Sequence, residues 1–189
     1  FATKQNHKRK NTGKQMLERK FNIESGVGKD ALADYLIAIM YDARSTTFRY
    51  IRGITQHELD WQPYPDWNTV GALLAHIIAG DYFFKLYFIE KREMTPEEET
   101  ALLPGLDLGK HVSELKGKPV EFYLEELIKS HEAIKEAVKK LTVEELLERR
   151  FDVYDKVNGS DLAWTLYHNA EDEVHHRGQI SILRKLYKQ

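Results

Sequence analysis

His168-Asn169-Ala170-Glu171-Asp172-Glu173-Val174-His175-His176-Arg177-Gly178-Gln179 gathers three of the chain's eight histidines and three of its carboxylates into nine positions. Apolar residues on both sides recur at helical spacing, so the stretch reads as part of a helix. At that pitch Asp172 and His176 stand one turn apart and project from one face. A carboxylate and an imidazole so arranged can share a cation, provided a second helix contributes a further ligand. The rest of the chain is read for that helix.

Composition sets the frame. A chain of 189 residues suits a single domain with a substantial core. Its 42% hydrophobic and 31% charged residues describe a globular rather than a disordered protein. A net charge of -2 gives no reason to expect nucleic-acid binding. No run of 18 apolar residues and no secretory h-region is seen, so neither a membrane span nor a membrane partner is expected. With no cysteine there are no disulfides and no thiolate ligands, as suits a cytoplasmic protein, and any metal must be held by nitrogen and oxygen.

Residues 1–28 are rich in lysine and arginine (Lys4, Lys8, Arg9, Lys10, Lys14, Arg19, Lys20) and punctuated by Gly13, Gly26 and Gly28. They read as a basic, flexible or loosely docked N-terminal arm preceding a domain over 29–189. A first helix is predicted from about Lys29 to Ile54 on the spacing of Leu32, Leu36, Ile39, Met40, Ala43, Phe48 and Ile51. Trp61-Gln62-Pro63-Tyr64-Pro65-Asp66-Trp67 ends it as an extended connection. A second helix, capped by Asn68 or Thr69 and reaching about Arg92, is apolar nearly all round, as befits the centre of a bundle or a face covered by a second subunit. Within it sits His76. Residues 94–118 form a long crossover that starts with a capped helical turn at Thr95-Pro96 and is broken up from Pro104 and Gly105 onward. A third long helix spans about Pro119 to Leu141, Thr142-Val143-Glu144-Glu145 caps a short one, Phe151–Asp155 is extended, and Ser160 caps the last helix to Tyr187. The sum is an all-α, four-helix bundle.

His76 on the second helix can be read as a hydrogen-bonded core histidine or as the further ligand that Asp172 and His176 require. Two histidines and one carboxylate hold a divalent first-row metal on one side and leave positions open. Equally, Glu171, Asp172 and Glu173 can be read as a solvated acidic patch beside basic neighbours. A ferritin-like di-iron site needs a second Glu-x-x-His pair, which the chain lacks, and no His-Glu-x-x-His, phosphate loop or Gly-x-Ser-x-Gly elbow is present.

His175-His176-Arg177-Gly178-Gln179-Ile180 resembles the His-Arg-Gly-Gln signature of the DinB/YfiT-like superfamily, and Leu73-Leu74-Ala75-His76-Ile77 after the Trp-x-Pro connection resembles its second-helix segment. The likeness spans about Ala31 to Lys185. It implies an up-down-down-up four-helix bundle with a long crossover, commonly homodimeric, holding one divalent metal through His76, Asp172 and His176. The superfamily more often has histidine where Asp172 stands, which leaves zinc, nickel, iron or manganese open. Small-molecule hydrolysis or thiol S-transfer is the implied chemistry, with Glu173 or His168 as proton carrier. The alternative is a non-catalytic dimeric module stapled by metal or a polar cluster and used for stress-related partner binding.

Overall fold

A computed structural model of the chain describes residues 17–150 and 154–189. The basic residues from Lys4 to Lys14, and the extended segment expected at Phe151-Asp152-Val153, lie outside the described residues. The protein is all-α. Its helices are α1 (Ala31–Tyr50), α2 (Gln56–Asp60), α3 (Val70–Phe83), α4 (Pro96–Leu106), α5 (Val112–Leu115), α6 (Val120–Val138), α7 (Val143–Leu146) and α8 (Leu162–Tyr187). Arg149–Arg150 (β1) and Ser160–Asp161 (β2) pair antiparallel just before α8, with Arg149 opposite Asp161.

Side-chain caps set the helix starts. The Asp30 carboxylate accepts from the N–H groups of Leu32 and Ala33, both at 3.0 Å, and so begins α1. Asp34, in the first turn, accepts three more N–H bonds from Gly26, Val27 and Gly28 at 2.7, 2.9 and 2.7 Å. Those amides, Gly28 foremost, hold its carboxyl below the ordinary range. Together with Arg19–Asp42 at 2.6 Å and the Tyr41 hydroxyl on the Glu18 carbonyl at 2.7 Å, they lay residues 18–28 along α1.

Thr69 caps α3 through the Ala72 N–H at 3.0 Å. The helix continues from Phe84 to Ile89 as a π-helical turn. By length and composition Val70–Ile89 is apolar enough to cross a membrane, which the sequence reading did not credit. Here most of that stretch is buried inside the protein, packed on α4, α6 and α8.

Two local expectations change. The crossover helix α4 opens on the Thr95–Glu98 capping box but runs through Pro104 and Gly105 to Leu106. Gly105 lies so close to α3 that a Cβ there would stand 2.6 Å from the Ala75 carbonyl oxygen, and this contact between helices outweighs local propensity. The last helix is capped by Asp161, one residue later than expected: its carboxylate accepts from the Trp164 N–H at 2.7 Å, while Ser160 and Asp161 both pair with β1.

The four long helices enclose two apolar clusters. One contains Leu36, Met40, Phe84, Phe88, Ile134 and Leu166; the other contains Phe48, Leu73, Ile77, Leu127 and Ile180. α1 and α8 pass from the first cluster to the second, whereas α3 and α6 pass from the second to the first. Where each helix changes cluster, buried polar residues intervene: Arg44 on α1, Asp81 on α3, Ser130 and His131 on α6, Glu173 and His176 on α8. The sites described next belong to this layer.

A candidate metal centre at the junction of two helices

His76 on α3 and Asp172 and His176 on α8 converge. His76 Nε2 lies 3.3 Å from one Asp172 carboxylate oxygen, and His176 Nε2 lies 3.3 Å from the other. The two imidazole rings meet edge to face with centroids 4.7 Å apart. One ligand atom from each residue falls within 4.8 Å of the others, so the three can hold a metal ion.

What fixes the rings decides what their free nitrogens can do. His76 Nδ1 is 2.9 Å from the carbonyl oxygen of Gly105, which can only accept. His176 Nδ1 is 2.8 Å from Gln179 Oε1, and the other end of that amide lies 3.1 Å from His175 Nε2. Both Nδ1 atoms therefore carry hydrogen, and a ring in its neutral form directs its Nε2 lone pair at the Asp172 carboxylate. Lone pairs facing a carboxylate at 3.3 Å repel unless a cation lies among them. Either the rings take up protons or a metal binds. The donor set thus suits a borderline divalent ion, with a carbonyl and an amide orienting the imidazoles from behind.

The same contacts set the charges. Burial alone would raise the Asp172 pKa, but bonds from His176 and His76 hold it well below the ordinary carboxylate range. Burial alone would lower that of His176, yet its bonds to Asp172 and Gln179 push it up. The His176 side chain is 7% exposed and that of Asp172 is 35% exposed, so the cluster is closed from within and open on its outer side. Next to it lies a pocket of about 320 Å³ lined by Leu73, one turn before His76 on α3, and by Gln179 and Leu183 on α8. Trp67 stands at its rim, whereas Trp61 packs on Tyr187 and lines another hollow.

The two residues expected to carry protons stand elsewhere. Glu173 is buried, and both its oxygens accept from Arg44 Nε at 3.0 and 3.2 Å. One helical position from Asp172 is about 100° of rotation, which turns Glu173 into the bundle interior. His168 stacks on Trp164, with ring centroids 5.3 Å apart and planes 5° apart, and is not among the three converging residues. His175 is exposed, and a Cβ on Gly178 would meet nothing within 4 Å, so no backbone or side chain presses on that glycine.

Sequence reasoning missed the polar layer behind the site. The Arg44 guanidinium, with no solvent exposure, donates to Asp81 Oδ2 at 2.7 Å, to Glu173, to Ser130 Oγ at 3.3 Å and to the Leu127 carbonyl. One side chain from α1 therefore ties α3, α6 and α8 together. Asp81 also accepts from Ser130 Oγ at 2.7 Å and from Asn169 Nδ2 at 3.1 Å. Two carboxylates share a single guanidinium, and burial leaves the Glu173 pKa above the ordinary range despite the pull of Arg44. A signal for this was present: Arg44 falls in step between Met40 and Phe48 on the apolar stripe of α1.

An all-α chain with two histidines and a carboxylate brought together from its second and last long helices defines a class of helical proteins with a metal-competent centre. The sequence profile of the DinB superfamily matches residues 39–180, about three quarters of the chain. The protein belongs to the DinB superfamily. A search of curated proteins finds no match.

Proposed function

We propose that the protein is a metal-dependent enzyme acting on a small molecule, as a hydrolase or a thiol S-transferase. The observation that carries this reading is the pairing of locked imidazoles with an open side. Both Nδ1 atoms are bonded, both Nε2 atoms face one carboxylate, and Asp172 remains 35% exposed. A metal that served only to staple the bundle would be enclosed by protein ligands, and the exposure of Asp172 speaks against that use.

A divalent metal held by His76, Asp172 and His176 would lower the pKa of a bound water or thiol towards neutrality. The chain's residues do the rest. Gly105 and Gln179 keep the two rings in the ligating tautomer. Leu73 and Leu183 give an apolar floor to the pocket from which Gln179 reaches.

Cobalt(II) substitution tests the reading. The loaded protein should show visible bands of nitrogen and oxygen coordination that shift on adding a thiol. It should also turn over an aryl ester, or join a small thiol to an electrophile, with His176→Ala abolishing both. Cobalt spectra identical in wild type and His176→Ala, or a loaded protein inert towards both substrate types, would sink the proposal.

A further inference from the structure

We infer that the pocket beside the metal cluster is a binding site for a small amine, a molecule with an apolar body and an ammonium group. This deepens the proposed function and rests on it only for what happens after binding.

At about 320 Å³ the pocket is at the small end of the ~300–1,000 Å³ range of small-molecule sites. Its floor is aliphatic: Leu73 and Leu183 are buried and Ile182 forms an exposed wall. Polar groups converge on it from two sides. Gln179 reaches from the pocket to His176 Nδ1, so an occupant lies within one side chain of the metal cluster. Opposite stand Asp66 and Trp67, carried by the Pro-rich connection.

That rim is built. The Gln62 amide donates to the carbonyl oxygens of Pro65 at 2.9 Å and Trp67 at 2.6 Å, and Lys116 Nζ in turn holds Gln62 Oε1 at 3.0 Å. The Trp67 N–H closes the turn on the Tyr64 carbonyl at 3.0 Å, and the Tyr64 and Trp67 rings meet at 5.6 Å. Five interactions thus hold a loop whose Asp66 carboxylate has no hydrogen bond or ion pair among the described residues. Among the described residues, no lysine or arginine lines the pocket. An indole and an unpaired carboxylate on one rim attract an ammonium group, through quadrupole and charge respectively, and the carboxylate repels an anionic ligand. The apolar floor takes the body of the same molecule.

The test compares three ligands of one shape on metal-free, full-length protein: 2-phenylethylamine, 2-phenylethanol and phenylacetate. Binding is followed at the Trp67 indole N–H resonance, assigned by its loss in Trp67→Phe. The amine should bind tightest and phenylacetate weakest, with the amine at least about threefold ahead of the alcohol, as one exposed charge allows. Asp66→Asn, an exposed change, should keep alcohol binding and erase the advantage of the amine. Equal binding of the three, preference for phenylacetate, or no shift at millimolar concentration overturns the inference. Because no metal is present, amine binding by a protein that fails the cobalt test would leave this site standing and remove only the enzyme reading.

Discussion

Arg44 is the residue whose replacement the packing makes most costly. Arg44→Met fills much of the same space with an unbranched apolar chain, so little cavity is left and the loss is chiefly electrostatic. It strips the shared donor from Asp81 and Glu173, both buried, and frees the Leu127 carbonyl. Removing one partner of a buried pair costs about 3–5 kcal/mol. For a chain of this length, each kcal/mol corresponds to roughly 2–4 °C, so the melting temperature should fall by roughly 6–20 °C. The deficit should depend on pH with a definite sign. Burial already holds the Glu173 pKa above the ordinary carboxylate value, and without Arg44 it rises further. A folded-state acid pKa above the unfolded one means that stability is lost as pH rises through that window and recovered as pH falls. The deficit of Arg44→Met should therefore narrow on going from about pH 7 to about pH 5. Adding Glu173→Met should restore at least about 2 kcal/mol, since an apolar pair replaces a broken ionic one. Thermal melts by circular dichroism at several pH values read all three quantities. A single variant that loses under about 1 kcal/mol, or a double variant no better than the single, refutes the reasoning.

Two glycines should respond in opposite directions. Gly105→Ala places a Cβ 2.6 Å from the Ala75 carbonyl oxygen and 2.9 Å from Ala79 Cβ. It should destabilise by about 1–3 kcal/mol and, by shifting the carbonyl that holds His76, weaken metal binding about tenfold or more, as calorimetric titration would show. Gly178→Ala meets nothing within 4 Å inside α8 and should stabilise by about 0.5–1 kcal/mol in urea unfolding. His131 is buried with its Nε2 unpartnered, and burial first, then the Arg44 charge, lower its pKa to about 3. The folded value lies below the ordinary 6.5, so stability should fall as pH drops through that interval. Its slope approaches about 1.4 kcal/mol per pH unit midway, and urea unfolding of His131→Phe against wild type should show that component gone.

Much of this was legible because periodicity and caps are local. Thr69, Thr95 with Glu98, and Thr142 with Glu145 start helices where their spacing says they should. Asp172 and His176 could be placed on one face from pitch alone, and the second-helix histidine they needed was the one set among apolar neighbours in the sequence. What stayed hidden depends on contacts distant in sequence. Gly105 looks like a breaker until α3 is beside it, and its carbonyl can be assigned to His76 only across 29 residues. Glu173 looks like a proton carrier next to Asp172 until Arg44, 129 residues away, claims both its oxygens. Ser160 and Asp161 are both good caps, and what tells them apart is which side chain meets the Trp164 N–H in the folded chain: that of Asp161.

The central claim is that His76, Asp172 and His176 form one metal site. Elemental analysis of untagged protein, dialysed against a zinc, nickel, iron and manganese mixture and then against metal-free buffer, tests it directly. Wild type should retain one divalent ion per chain, and His76→Ala, Asp172→Ala and His176→Ala should each retain almost none while keeping a folded helical spectrum. Wild type without bound metal, or any of the three variants holding as much as wild type, would contradict it.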